Sequence, residues 1–334
     1  MTDSTKEKIV AALDLGSQSF RMVTARCGQG DGQQPKVLAR LRKNVRLSEG
    51  MEPTGLLSDR AVSRAVSALL EFKAVLDQYE RAGQDVSVRA VATEVLRRAS
   101  NAGRFIDMVR ERTGITIEVI SWQEEAALAS KGAFSSLPEL AFPAAMIDVG
   151  GGSSEVVIHD GQSVVHSVSM PVGAVTLWEQ MGRPDRLSPE ALAVMRIGVM
   201  DLLAGYRVAE MGPAASSVAT GGTATTAAAV ALEMEEYDPK RVRGTVLTLR
   251  ALEQMLEEIS SVPVANRYAI KGLEPERADI FPAGLAILIG IAITLGMDEI
   301  VVSDGGILLG VLLELLEKEC ATDAELSRAR GLYI

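Results

Sequence analysis

Beta-type patterning opens the chain and gives way to helical spacing after it. The segments KIVAALDL, FRMVTARC and PKVLARLRKNVRL, separated by polar and glycine-rich turns, predict three antiparallel strands. Helical spacing follows over about 58–79, with Ser58 as the N-cap. The strand VSVRAVAT, a helix over about 94–112, the strand ITIEVI and a helix ending at Gly132 complete a first βββαβαβα segment.

The same order of elements begins again after the connector AFSSLPELAFPA. Three strands, AAMIDVG, SEVVIHD and QSVVHSVSM, precede a helix over about 189–208 and the strand SSVAT, which leads into another helix. The strand EIVVSDGG and the helix ILLGVLLELLEKE end this half. The repetition indicates a duplicated α/β architecture.

Composition and charge exclude some classes of partner. The 334 residues, 47% of them hydrophobic, are enough for two cores. A net charge of -10 argues against a general binder of nucleic acids or anionic membranes, because such partners reward clustered Lys and Arg. The two cysteines, Cys27 and Cys320, have no metal-ligand spacing and predict free thiols in a reducing cytoplasm.

One apolar run approaches the length of a membrane span. It extends over 280–297 but contains Pro282 and several glycines, and the flanking residues include Asp279 and Asp298 rather than basic anchors. The charged N-terminus also lacks the long apolar core of a secretion signal. We therefore expect a buried helix and no membrane association.

Two turns have the composition of phosphate-binding loops. LDLGSQS and IDVGGGSS each place an aspartate, Asp14 or Asp148, at the end of a strand and follow it with a Gly/Ser turn. Such a turn can direct several amide N–H groups at one anion, and the aspartate can reach a Mg²⁺ ion that bridges phosphate oxygens. Either turn alone could be an ordinary hairpin, and their pairing across the duplication favours a phosphate site.

Two further glycine loops each follow a strand and lead into a helix. In VATGGTATT, Gly221, Gly222 and Thr223 would offer amides at a helix N-terminus, although a tight turn explains the same residues. In VSDGGILLG, the glycines Gly305 and Gly306 have two equally good explanations, which are close packing of the following helix and contact with a ligand.

A few charged residues could serve a phosphate site. Arg46 and the neighbours Arg97 and Arg98 are candidates, because a guanidinium donates two parallel hydrogen bonds to phosphate. The adjacent acids Glu124 and Glu125 lie at a strand-to-helix junction, where acids usually favour the helix dipole. A phosphate site also needs a base to orient an attacking water, and this junction could supply it.

These motifs together resemble the exopolyphosphatase and guanosine pentaphosphate phosphatase family of the actin-like ATPase superfold. The resemblance runs from AALDLGSQSFRMV through ATEVLRRASNAGRF, IEVISWQEEA and GLEPERADIFPAGLAIL to VSDGGILLGVL. It implies an α/β fold of two RNase-H-like domains, over 1–134 and 135–334, with a cleft between them. The last helix belongs to the second domain by position and could pack on the first.

The resemblance also implies a mechanism, with hydrolysis of a terminal phosphoanhydride bond. Glu125 would deprotonate the water and Arg97 would bind phosphate. Asp14, Asp148 and Glu155 would serve the metal, Mg²⁺ or alternatively Mn²⁺. The phosphate-binding residues would be Gly16, Ser17, Gln18, Ser19, Gly150, Gly151, Gly152, Ser153, Gly222 and Thr223.

Several functions are consistent with these motifs. The first is a Mg²⁺-dependent exopolyphosphatase acting on inorganic polyphosphate, and the second is a phosphatase of pppGpp or related guanosine polyphosphates. The third is a weakly active nucleotide-binding sensor, because Gln18, Trp122, Ala127 and Leu308 depart from the family pattern. The resemblance further implies a cytoplasmic homodimer.

Overall fold

The computed structural model describes residues 7–28, 35–51, 54–137 and 139–320. Its strands are β1 (Lys8–Leu15), β2 (Ser19–Arg26), β3 (Lys36–Asn44), β4 (Asp85–Ala92), β5 (Ile117–Val119), β6 (Ala144–Val149), β7 (Ser154–His159), β8 (Val164–Met170), β9 (Ser216–Thr220), β10 (Val246–Thr248) and β11 (Glu299–Val302).

The helices alternate with these strands. They are α1 (Asp59–Arg81), α2 (Glu94–Arg98), α3 (Ala102–Thr113), α4 (Trp122–Ser135), α5 (Ala174–Gln180), α6 (Pro189–Gly205), α7 (Gly221–Ala231), α8 (Pro239–Val242), α9 (Leu249–Ser261), α10 (Val264–Arg267), α11 (Phe281–Thr294) and α12 (Ile307–Glu319). Two short 3₁₀ helices cover Val208–Met211 and Pro275–Arg277.

The chain divides into two units, each built on one sheet. Unit 1 contains the residues up to Ser136 and the segment that begins at Ile307, and unit 2 is Leu137–Gly306. Helix α12 therefore belongs to unit 1, where it packs on α4 and β1. Unit 2 is thus inserted between α4 and α12. The domain prediction from the sequence had a single boundary, at 134/135, and placed α12 in the second domain.

The duplication predicted from the sequence is visible in the two sheets. The order is β3-β2-β1-β4-β5 in unit 1 and β10-β11-β9-β6-β7-β8 in unit 2. Each unit begins with three antiparallel strands, and its first strand also pairs in parallel with a later one, β1 with β4 and β6 with β9. The predicted α/β fold is confirmed.

Strand β1 is buried on both of its faces, which explains its continuous apolar sequence. Ala11 and Leu13 pack with residues of α1 and α3, whereas Val10 and Ala12 on the other face pack with α12. The approach of α12 to α4 requires Gly310, because a Cβ atom there would collide with the backbone of Leu128. Unit 1 is therefore a sheet covered by helices on both faces.

Helix α11 forms the centre of unit 2 and contains most of the apolar run that resembled a membrane span. Its residues from Phe281 to Ala292 are all buried, and it contacts α5, α6, α7 and α9. The expected buried helix is confirmed. Within the described part of the chain, none of the helices combines the length and the hydropathy that crossing a membrane would require.

The helix predicted over about 94–112 is interrupted, and tertiary contacts explain the break between α2 and α3. The Asn101 side chain accepts a hydrogen bond from the Leu57 amide at 2.9 Å and donates to the Leu57 carbonyl at 3.0 Å. The Ser100 amide also donates to the Gly55 carbonyl. These bonds hold the backbone of 99–101 away from helical geometry.

The prediction of two free thiols is wrong, because Cys27 and Cys320 form a disulfide. Their Cα atoms are 5.4 Å apart although 293 positions separate them in sequence. Cys27 follows β2, and its amide bonds to the carbonyl of Lys8 at the start of β1. The Lys8 ammonium lies 2.8 Å from Glu319, at the end of α12. The return of α12 along β1 therefore brings the two sulfur atoms together.

Candidate functional site

The turn between β1 and β2, predicted to bind phosphate, is closed by a backbone hydrogen bond. The Gly16 amide donates to the Ser19 carbonyl at 3.2 Å. A Cβ atom on Gly16 would approach that carbonyl to 3.3 Å, which favours glycine. Asp14, at the end of β1, is buried, and the Arg21 Nε atom lies 4.0 Å from its carboxylate. Burial raises the pKa of Asp14, and the nearby Arg21 charge only partly opposes the shift.

The segment after β3 braces this turn from one side. The amides of Val45 and Arg46 donate to the Gln18 carbonyl at 3.0 and 2.8 Å, and the Ser48 amide donates to the Ser17 carbonyl at 3.3 Å. In a trans peptide the carbonyl and the next N–H point in opposite directions. The N–H groups of Gln18 and Ser19 therefore point away from the bracing segment, as a phosphate loop requires.

The burial of Asp14 leads to a prediction about stability. Its neutral form is favoured in the folded protein, so the free energy of unfolding falls as the pH rises from the unfolded-state pKa to the folded-state pKa, and it stays lowered above that. We expect Asp14→Asn to raise the melting temperature measured in EDTA at pH 8, and to raise it by less at pH 4. Calorimetry at both pH values measures this. An equal gain at both would contradict it.

Arg97 and Glu125, both predicted as catalytic, lie together in unit 1. Helix α4 begins after Ser121, whose hydroxyl accepts from the Glu124 amide at 3.2 Å. One turn into the helix, Glu125 Oε2 accepts from Arg97 Nη1 at 2.7 Å. The same Nη1 atom also donates to the Ile120 carbonyl, at 3.0 Å. This arginine therefore fixes the direction of the Glu125 carboxylate.

Arg98 and Glu124, the sequence neighbours of Arg97 and Glu125, form ion pairs with other residues. Arg98 donates to Glu94 on its own helix at 2.7 Å, whereas Arg97 donates to Glu125. Glu124 accepts from Arg89 at 2.6 Å, in a cluster that also contains Glu118 and Glu314. Hydrogen bonds that Arg89 donates to these carboxylates, Glu118 first, raise the pKa of Arg89. Glu124 thus belongs to an ion-pair network that joins β4, α4 and α12.

The turn between β6 and β7 in unit 2 repeats the hydrogen bond of the β1–β2 turn. The Gly150 amide donates to the Ser153 carbonyl at 3.0 Å, as Gly16 does to Ser19 in unit 1. The glycine and serine occupy equivalent positions in both turns. The duplication therefore extends from the strand order to the backbone hydrogen bonding of the two loops.

The start of α5 braces the turn of unit 2. The Ala174 amide donates to the Gly150 carbonyl at 2.9 Å, and the Val175 and Thr176 amides donate to the Gly151 carbonyl at 2.9 and 3.2 Å. The N–H groups that follow these two carbonyls point away from α5. Gly173 is essential to this contact, because a Cβ atom there would lie 2.5 Å from the Gly150 carbonyl oxygen.

Asp148 and Glu155 are paired across β6 and β7 and share one face of the sheet. The Ser169 hydroxyl donates to Glu155 at 2.8 Å. The carboxylate of Asp148 lies against Gly221, where a Cβ atom would collide with it and φ is +80°. Two carboxylates plus substrate phosphate oxygens fit Mg²⁺. In the described ranges, no group of three or more His, Cys, Asp or Glu side chains has a metal-binding arrangement.

The start of α7 brings two predicted residues close to Asp148. The Thr223 hydroxyl donates to the Val149 carbonyl at 3.2 Å, so this side chain ties α7 to the end of β6. Gly222 lies under the guanidinium of Arg277, which occupies the space that a Cβ atom would need. Arg277 also donates from Nε to Glu274 at 2.6 Å.

The sequence reasoning assigned no role to Arg277 or Arg21. Arg277 lies within GLEPERADIFPAGLAIL, one of the segments that carries the family resemblance, and this was the available signal. Arg21 is two residues beyond a predicted phosphate-loop residue, Ser19, and pairs with Asp14 across the strands. Both arginines therefore lie beside residues that were predicted to bind phosphate or metal.

The fourth glycine loop, after β11, uses its polar groups internally. The Thr220 hydroxyl donates to the Gly305 carbonyl at 2.5 Å, and Arg243 Nε donates to Asp304 at 2.9 Å. These bonds agree with close packing, one of the two interpretations open from the sequence, and the ligand role stays a prediction.

The chain is similar in sequence to phosphatases of one family. The sequence profile of the Ppx/GppA phosphatase family matches residues 26–319. A Haemophilus influenzae protein named "Putative exopolyphosphatase" is 30% identical over 322 residues, which are 96% of this chain and 95% of that protein.

Solved structures show the same similarity. The crystal structure of the Aquifex aeolicus member of the Ppx/GppA family is 29% identical, with a TM-score of 0.77, over 95% of this chain and 100% of that one. An exopolyphosphatase-like protein solved by structural genomics is 28% identical, with a TM-score of 0.84, over the same shares of the two chains.

Proposed function

The chain belongs to the Ppx/GppA phosphatase family and is a phosphoanhydride hydrolase, and from this premise we propose that it is a Mg²⁺-dependent exopolyphosphatase. It would remove terminal phosphate groups from inorganic polyphosphate. The observation that carries the proposal is the pair of equivalent turns, each beside a strand-end aspartate and each with its carbonyls bonded on one side. Such turns offer fixed N–H donors to phosphate oxygens.

The proposed base is Glu125, which would accept a proton from the attacking water. The hydrogen bond from Arg97 orients the carboxylate through Oε2. A base held in one orientation needs little rearrangement in the transition state, which favours the reaction. Arg97 also brings positive charge near the phosphate that the water attacks.

Negative charge develops on the phosphate oxygens, so donors and cations must stabilise it. The proposed donors are the backbone N–H groups of the two turns, together with the N-terminus of α7. Arg277 adds a guanidinium over Gly222 at this helix start. Asp148 and Glu155 would hold Mg²⁺ or Mn²⁺, which neutralises charge on the substrate when bound. Asp14 remains a predicted metal-associated carboxylate of unit 1.

The test is phosphate release from long-chain polyphosphate, pppGpp and ATP, measured side by side with Mg²⁺, Mn²⁺ and EDTA. We expect polyphosphate to be hydrolysed fastest and EDTA to abolish release. Faster release from pppGpp would assign the enzyme to guanosine polyphosphates instead. Nucleotide binding without turnover of any of the three substrates would identify a sensor.

The close contact at Gly173 provides a test of the unit 2 turn. Gly173→Ala would push the Gly150 and Gly151 carbonyls away from α5. The N–H groups that follow these carbonyls would then point in a different direction. Displacement of such donors by about 1 Å can cost up to about 100-fold in rate, so we expect polyphosphate turnover to fall at least about 10-fold. Steady-state kinetics measure this, with Gly198→Ala in α6 as the folded control, because a Cβ atom there would meet nothing within 4 Å. Wild-type turnover in Gly173→Ala would contradict the role of the turn.

A homodimer and a cytoplasmic location remain proposals based on the family resemblance. The cysteine argument for the cytoplasm no longer applies, because the structure pairs Cys27 with Cys320. Sedimentation velocity tests the dimer. Cell fractionation with thiol labelling tests the location.

A further inference from the structure

Arg267, at the end of α10, is a buried cation outside the proposed site. Its exposure is 1%, and it is the largest of the fully buried side chains in the described ranges. Desolvation lowers its pKa, and the charges of Asp185 and Asp279 only partly oppose the shift. Burying a charge is costly unless hydrogen bonds compensate for the lost water. The hydrogen bonds of Arg267 must therefore compensate for the water that its guanidinium loses.

The Arg267 guanidinium donates to backbone carbonyls of separate segments. Nε bonds to Ile259 at 3.0 Å and to Val262 at 2.9 Å, around the end of α9. Nη2 bonds to Asp185 at 3.2 Å, in the turn before α6. Nη1 bonds to Ala278 at 2.7 Å, and a longer contact of 3.5 Å reaches Asp279. One side chain thus fixes three segments of unit 2.

The Ala278 carbonyl is the contact that connects Arg267 to the proposed site. Ala278 directly follows Arg277, so the bond anchors the 278–279 peptide, one residue beyond the arginine whose guanidinium covers Gly222. The hydrogen bonds of the 3₁₀ helix Pro275–Arg277 include Arg277 N–H to Glu274 at 2.9 Å and Ala278 N–H to Pro275 at 3.3 Å. Such short 3₁₀ turns have poor hydrogen-bond geometry, so an outside anchor has a large effect on them.

We infer that Arg267 is a positioning residue for hydrolysis: it holds the 275–279 segment so that Arg277 stays over the start of α7. This inference rests on the proposed function, in which Arg277 stabilises phosphate charge. Arg267 contacts no substrate and acts through the Ala278 carbonyl. Its loss would therefore lower turnover by displacing Arg277.

The test is a double-mutant cycle between Arg267 and Arg277. Arg267→Lys keeps the charge but lacks the planar fork that reaches several carbonyls at once. We expect it to lower kcat/KM for polyphosphate about 10-fold, and to have no further effect when Arg277 is already Met. Val199→Ala, at a buried position of α6, is the control for a general loss of stability and should keep wild-type kcat/KM. A loss in Arg267→Lys that persists in the Arg277→Met background would overturn the inference.

Hydrogen exchange provides a readout that does not depend on activity. In Arg267→Lys, the amides over 276–280 should exchange at least about 10-fold faster, whereas Val199→Ala should leave them at the wild-type rate. Unchanged exchange over 276–280 in Arg267→Lys would refute the positioning role even if the enzyme were active. Faster exchange in a protein without phosphatase activity would support the positioning and refute the proposed function.

Discussion

Glu125→Gln is expected to lower the rate of phosphate release from polyphosphate by about 1,000-fold. A general base contributes about 100- to 10,000-fold to a rate, and an amide cannot accept the proton of the attacking water. The Gln amide oxygen can still accept the hydrogen bond from Arg97, so the side chain should keep its orientation. Substrate affinity should therefore change little. Single-turnover kinetics and an independent binding assay separate the two effects.

The matched control is Glu124→Gln, which makes the same chemical change one position earlier. The Glu124 carboxylate accepts from Arg89 and belongs to the ion-pair network, not to the proposed site. We expect its turnover to stay within about 2-fold of wild type, with at most about 1 kcal/mol of stability lost. If Glu125→Gln retained the wild-type rate, the assignment of the base would be wrong.

Asp148→Asn is expected to lower polyphosphate turnover by about 100-fold or more at ordinary Mg²⁺ concentrations. The carboxylate lies opposite Glu155 on the neighbouring strand, so the substitution removes one of two charged oxygen donors. A bound cation contributes several kcal/mol of charge stabilisation to such reactions. Part of the loss should be recovered at high Mg²⁺, because the weakened site can still be filled. A Mg²⁺ titration of the rate measures this recovery.

Asp160→Asn serves as the control for Asp148→Asn within unit 2. Asp160 lies in the turn between β7 and β8, where its carboxylate accepts from the amides of Gln162 and Ser163. Asp160→Asn should reach half of its maximal rate at the same Mg²⁺ concentration as the wild type. A wild-type Mg²⁺ requirement in Asp148→Asn would remove Asp148 from the metal site.

The sequence was most informative where the structure depends on local signals. The Asp–Gly/Ser pattern predicted both turns, and the hydrogen bonds of Gly16 and Gly150 have the same geometry. Glycines were necessary there because carbonyl groups come close to the backbone. For Glu125 and Arg97 the family resemblance supplied the roles, and the structure adds the ion pair between them.

Features that depend on distant parts of the chain could not be predicted in this way. The guanidiniums of Arg267 and Arg277 acquire their contacts only when several segments of unit 2 meet. The break between α2 and α3 depends on Asn101 bonding to Leu57, which helical spacing does not encode. The cysteine pair was missed for the same reason, because the return of α12 to β1 is a property of the whole fold.

The disulfide also has a topological consequence. Because it joins Cys27 to Cys320, the backbone between them forms a covalent ring that contains all of unit 2. A single proteolytic cut anywhere in that ring would leave one covalently continuous molecule. Both chain connections between the units, at 136/137 and 306/307, lie inside the ring, so releasing unit 2 requires a cut at each of them.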